Sequence, residues 1–403
     1  MAKISIQKKT SEDIFEELSR ALNMADLKEK FPVRSMESWR RFDPLNLVSP
    51  MTDAVRNGTG FSRIKVDDKL NLIMHGAADW KKHDEIFLKK SLNQMELFKS
   101  TPETGFFEDF IKKSAGHENL QILRISKNVE TLSAIEILPE NATGLNLGIF
   151  YIYCEEGAKA DLNIIKNPGQ FDLSLIYIYQ ENNSSLKIKY LDENPGAASS
   201  GVGFIRSIQG NYSRLEAGIY NTSARQNKKL FIKNSLNEFA ECKYNGFFAG
   251  ALSHVDHDFY IEHLGSFSKS ELLFKMGILD ECYGIFWGDT KIIPNTRGCE
   301  GYQKNKNLIL GKNARVDAIP RLRIQTEHVI ASHGSATGEI SDDEIFYLMS
   351  RGLSYEDARK LLLRAFFEDI LRQSFGSDPD ISNLFLMKIW NNLQNIIGME
   401  ITA

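Results

Sequence analysis

The chain has 403 residues, with 49 lysines and arginines against 53 aspartates and glutamates and a formal net charge of −4. That length can bury a large core and allows one to three domains, while the near balance of charge gives no electrostatic case for a nucleic-acid partner. Four scattered cysteines (Cys154, Cys242, Cys282, Cys299) form no CxxC pair, the start MAKISIQKKTSEDIFEEL lacks an apolar leader, and no apolar run nears the ~18 residues of a span; we expect a cytoplasmic protein with no membrane partner.

Residues 10–31 read as a helix, because Ile14, Leu18, Ala21, Leu22 and Ala25 recur at three- and four-residue steps and Pro32 closes the run. A second helical pattern covers about 81–98, and 99–120 reads as an irregular linker or cap. From about 121 the pattern changes to short, often alternating apolar runs such as LNLGIFYIYC, FDLSLIYIYQ and KLFIKNSL, punctuated by Gly, Asn, Asp and Ser. That is strand chemistry, and two hundred residues of it require a sandwich, a barrel or a β-helix. Two-residue hairpin turns are sparse, which favours a solenoid over a meander, although no strict repeat is visible.

After 341 the chain turns helical. Ser341 with Glu344, and Ser354 with Asp357, fit N-terminal caps, and Gly352 suits the left-handed residue that ends the first helix. The second helix, about 355–374, is apolar on more than one face through Leu361–Leu363 and Phe366–Phe367. That pattern fits a helix packed between neighbours or one that docks a partner. A third helix spans about 379–397, with Leu384, Met387, Trp390, Leu393 and Ile397 along one side.

Several segments carry groups capable of chemistry. In SHVDHDFYIEHLG, period two places His257 and His263 on an apolar face with Val255, Phe259 and Ile261; they fit core histidines better than ligands. The opposite face, with His254, Asp256, Asp258 and Glu262, reads as solvated. The cysteines read as structural. No GxxxxGK[ST] loop, GxSxG elbow, HExxH or EF-hand loop occurs. His333 stands in ASHGSATGEI between small residues. Either a turn happens to contain it, or it is an exposed ligand or proton-transfer group at the rim of a β scaffold.

The stretch from Pro320 to Leu371 resembles the C-terminal signature of the SufB/SufD family of iron–sulfur cluster assembly proteins. The matching positions are Pro320, Leu322, Ile324, Ser332-His333-Gly334, Gly338, Phe346-Tyr347-Leu348, Ser350-Arg351-Gly352 and Ala358 to Phe366. FKMGILDECYGIFWGDTKI, NKNLILGKNARVDAIP and SWRRFDPL resemble further family segments, and the clear match covers about 265–370. The Ser-His-Gly form is similar to SufD-like members. Glu327-His328 is faintly SufB-like, and Ala331, Arg321 and Arg323 depart from the common SufD pattern.

The resemblance implies a mainly β chain: a right-handed parallel β-helix (121–340) between an N-terminal helical region (1–120) and a C-terminal helical region (341–403). It implies a non-enzymatic scaffold subunit that pairs with a SufB-like chain, or with itself, through the β-helix ends. It implies that the C-terminal helices dock a SufC-like ABC-type ATPase, with Phe346, Tyr347, Arg351, Gly352, Phe366 and Phe367 as interface residues. His333 would then be an iron or cluster ligand at the seam, for a transient cluster shared with the SufB-like partner, and flavin binding stays open. A homo-oligomeric scaffold, and a β-helix carbohydrate-active enzyme, are the alternatives.

Overall fold

The computed structural model describes residues 36–66, 73–75, 105–115, 119–127, 130–194, 198–279, 281–375 and 380–399, with a few isolated positions elsewhere before 99. The expected helices at 10–31 and 81–98 lie outside the described residues apart from such isolated positions. Three short strands, β1 (Thr59–Phe61), β2 (Arg63–Val66) and β3 (Ile73–His75), precede sixteen longer ones, β4 (Leu120–Ile125) to β19 (Ile330–Glu339). Even-numbered strands from β4 to β18 form one parallel sheet and odd-numbered strands from β5 to β19 the other. Each strand therefore pairs with the next but one along the chain. That is a β-helix, and it explains why hairpin turns are rare in the sequence.

The coil length drifts, which hides the repeat from inspection. Leu145 lies beside Phe171, a step of 26 residues, whereas Tyr283 lies beside Arg315, a step of 32. Successive coils still stack in register because the same faces repeat. Ile205, Ile232 and Phe259 form one inward row across β10 (Ser199–Gln209), β12 (Gln226–Leu236) and β14 (His254–His263), all buried in the central core. Parallel sheets covered on both faces carry near-continuous apolar runs, and LNLGIFYIYC is buried at all ten positions.

Both sheets are covered from outside. The segment expected to be an irregular linker at 99–120 contains helix α2 (Gly105–Ala115); with the segment around Trp39, Phe42 and helix α1 (Val48–Arg56) it packs on the even-numbered sheet. The N-terminal region is thus not purely helical. Glu108 of α2 forms a buried ion pair with Arg206 of β10. This cover also corrects the reading of the outer face of β14 as solvated. Asp256 and Asp258 are buried and pair with Lys229, whose ammonium lies 5.5 Å from the Trp39 ring centre. His254 stacks between Phe42 and Tyr283.

On the odd-numbered sheet lie helices α4 (Tyr355–Phe375) and α5 (Asp380–Met399), reached through α3 (Asp342–Ser350). α5 buries Phe385, Ile389, Leu393 and Ile396, so its inward stripe is rotated from the expected one and Met387 faces solvent. Among the described residues no helix is long and apolar enough to cross a membrane.

Removing one member of a buried ion pair leaves an uncompensated charge, at a cost of about 3–5 kcal/mol. Glu108→Ala is expected to lower unfolding stability by that amount in urea titration. A loss of well under 1 kcal/mol would show that α2 does not hold the sheet.

Candidate functional site

The two ends of the β-helix differ. At the N-terminal end β3 lies antiparallel to β4, and β2 antiparallel to β5 (Glu130–Leu138), so added strands cover the first edges. At the C-terminal end, among the described strands, β18 (Arg315–Ile324) pairs only with β16 (Tyr283–Ile292), and β19 only with β17 (Glu300–Ile309). No described strand covers their outer edges. Nine of the ten β19 residues are exposed and none is buried, and Ile330 is 58% accessible. A row of unpaired N–H and C=O groups on an exposed edge is a template for a strand from another chain.

His333 sits in the middle of β19. The small-residue run is therefore a ten-residue strand rather than a turn, and the histidine is exposed at the rim. It lies beside Gln303 of β17 and shares the inward row with Ser335 and Thr337. The inward row turns polar in these last coils. The Ser335 hydroxyl donates to Asn305 Oδ1 at 3.1 Å, Asn307 Nδ2 donates to Thr337 Oγ1 at 3.0 Å, and Gln303 Nε2 donates to Thr290 Oγ1 at 2.5 Å. Gly334 and Gly338 have nothing within 4 Å of where a Cβ would lie, so a facing backbone can approach closely.

β19 passes through Ile340 directly into α3, whose N-terminus is closed by a reciprocal capping box of Ser341 and Glu344. α3 holds Ile345 inward and leaves Phe346 and Tyr347 73% and 57% accessible. The Arg351 guanidinium lies over the Tyr347 ring at 5.3 Å, and Gly352 takes φ +94° to end the helix. Met349, Tyr355 and Leu361 extend the exposed apolar surface. Phe346 and Tyr347 thus lie in the middle of α3, with Arg351 and Gly352 just past its end.

Phe366 and Phe367 belong elsewhere. Phe366 is partly buried beneath Lys275, whose ammonium lies 4.7 Å from its ring centre and donates to its carbonyl and to Asp369, each at 2.6 Å. Phe367 is fully buried and stacks on Phe247 at 4.2 Å. It anchors α4 to its own β-helix and has no surface to offer a partner. Gly277 makes room for that anchor, since a Cβ there would lie 2.8 Å from the Phe367 ring.

Residues 139–366, more than half of the chain, match the family described as SUF system FeS cluster assembly, SufBD core domain. The chain belongs to the SufBD family. Similar curated proteins include a SufBD family iron–sulfur cluster assembly protein of Mycobacterium leprae (strain TN), 34% identical over 133 residues, which cover 31% of this chain and 34% of that one. The SufD iron–sulfur cluster assembly protein of Escherichia coli (strain K12) is 35% identical over 111 residues, 28% of this chain and 26% of that one. A SufBD family protein of Synechocystis is 39% identical over 97 residues, covering 24% and 21%. The chain spans about a third or less of the length of these relatives.

Within this SufBD fold His257, His263 and the four cysteines are interior groups, whereas His328 is exposed. His257 is fully buried between Phe248 and Phe274, and burial, with Lys228 and Lys229 nearby, pushes its imidazole down to about 3. His263 is held by the hydroxyls of Ser268 and Ser270, each at 2.8 Å, and burial lowers it to about 4. All four cysteines are free and buried, and burial pushes the Cys242 and Cys282 thiols up to about 12. Among the described residues no three His, Cys, Asp or Glu side chains gather as a metal cage.

Histidines kept neutral inside the fold become protonated first in the unfolded chain. Their stabilising contribution is full above the ordinary histidine pKa of about 6.5 and falls as pH drops towards their folded values of about 4 and 3. Melting temperature is expected to fall between pH 6.5 and 4. His257→Leu is expected to flatten that slope; an unchanged slope would remove His257 from the account.

Proposed function

We propose that this SufBD family chain is a non-catalytic scaffold subunit of an iron–sulfur cluster assembly complex. Its open β-helix end pairs with a SufB-like chain, and its C-terminal helices dock a SufC-like ATPase that supplies the energy of hydrolysis. The observation that carries this reading is the uncovered edge of β18 and β19, with His333 exposed in the middle of β19. The iron–sulfur cluster is the cargo of the assembly. His333 offers one imidazole nitrogen donor at the seam, and the remaining ligands come from the partner chain.

The exposed aromatic surface of α3 supports the docking half of the proposal. Large apolar side chains left exposed together on one short helix fit a protein contact. Because Phe346 and Tyr347 make so little contact with their own chain, they can be changed without disturbing the core. Phe346→Asp is expected to abolish binding of the cognate SufC-like ATPase in light-scattering chromatography, with the melting temperature unchanged. Binding as tight as wild type would remove α3 from the docking surface.

His333→Ala tests the seam. It is expected to leave folding and pairing intact while lowering cluster formation on the reconstituted complex by tenfold or more. Wild-type cluster yield from that variant would show that His333 is not a ligand.

A further inference from the structure

The outward face of β18 carries three arginines and one aspartate: Arg315, Asp317, Arg321 and Arg323. Across the even-numbered sheet each of these continues a row of side chains. One row runs Tyr260, Asp289, Arg321 and another Glu262, Lys291, Arg323. The rows answer charge with charge: Lys291 pairs with Glu262 at 2.9 Å, and Arg321 with Asp289 at 2.9 Å. Arg323 breaks this order, because its own row places it next to Lys291. It leans sideways to share the buried Asp289, at 3.0 Å, with Arg321. Arg315 likewise falls back on Asp317 at 3.2 Å, a carboxylate already engaged by Arg41 at 2.8 Å. Arg321 takes a further carboxylate, Glu37, from the N-terminal segment. The last strand therefore ends in guanidinium groups served by carboxylates behind them, and no described strand continues the rows.

A second copy of this chain does not complete the rows. An antiparallel two-fold pairing of β18 centred on Ile319 sets Arg315 against Arg323 of the copy and Asp317 against Arg321, and symmetry makes each contact twice, so repulsion offsets attraction. Moving the centre to Ala318 sets Arg315 against Arg321, and moving it to Leu322 sets Arg321 against Arg323. The register that sets Asp317 against Arg323 leaves Arg315 and Arg321 facing Gln325 and Ile319. If β18 instead meets β19 of the copy, the arginines face the outward positions of β19, Ile330, Ser332, Gly334, Ala336 and Gly338, none of which carries a charge. Like charges directly opposite across a strand pair destabilise it, and such contacts reject wrong partners.

We infer that the arginine row of β18 selects a partner strand bearing aspartate or glutamate opposite Arg315, Arg321 and Arg323, and so specifies a different chain rather than a second copy. This deepens the pairing proposed above and rests on it. The test measures affinity for the cognate SufB-like chain, at low and at physiological salt, for wild type, Arg323→Gln and Arg323→Glu. Arg321 still serves Asp289 in both variants, and thermal melts confirm that each is folded. Wild type alone is expected to be monomeric. Affinity is expected to fall in the order wild type, Gln, Glu, by about tenfold at the charge reversal, with a shallower salt dependence in the reversed variant. Equal affinity across all three, or wild-type self-association as tight as the mixed pair, would overturn the inference and leave the pairing standing. Failure of wild type to bind the SufB-like chain at all would remove the pairing, and the inference with it.

Discussion

Each coil of a β-helix satisfies the backbone of the coil beneath it, so one edge is always left over. That constraint governs this molecule. Buried peptide groups need partners, and an exposed edge invites other strands. At the N-terminal end the chain resolves this itself, by folding β2 and β3 back antiparallel onto the first coil. At the C-terminal end it does not. β19 stands exposed along its length, beside β18, whose outer edge is equally unpaired. β19 runs ten residues without a proline and can accept a strand from a second chain, whereas β18 carries Pro320, which has no N–H to donate.

The rest of the architecture makes that edge stiff and connects it to the surroundings. The N-terminal segment reaches across the even-numbered sheet to the last coil through Glu37 to Arg321 and Arg41 to Asp317. The C-terminal helices clamp the other sheet, with Lys275 tied to α4 and Lys388 of α5 tied to Glu193. Between the edge strand and the exposed aromatic surface of α3 lie only Ile340 and the capping Ser341. A force applied to α3 therefore meets β19 with almost no slack in the chain.

Much of this was legible in the sequence, and the exceptions have identifiable causes. The strand-rich middle, the rarity of hairpins and the capped terminal helices follow from local patterns that the fold keeps. The repeat was hidden because coils range from 26 to 32 residues in register. Gln303 to Asn307 carry no apolar alternation, because QKNKN is polar on both faces; its inward amides face the polar mouth of the last coils. The acidic side of β14 read as solvated because nothing in VDHDFY announces that Trp39 and Phe42, two hundred residues earlier, will cover it. For Phe367 the apolar pattern left both packing and docking open, because apolarity on several helix faces cannot say which face meets its own sheet. His333 stood out through its small neighbours and by family resemblance, yet its place on a strand did not, since Ser, Gly, Ala and Thr also compose turns.

The central claim is that the bare edge of the last coil is paired by another chain. Amide hydrogen exchange reads that edge directly. In the isolated chain the β19 amides that face outward from the sheet should exchange rapidly, while those bonded to β17 should be slow. On adding the cognate SufB-like chain, the account predicts strong new protection across Ile330–Glu339 and Arg315–Ile324, with little change in the coils behind them. A stable complex that leaves both strands as exposed as before would contradict it.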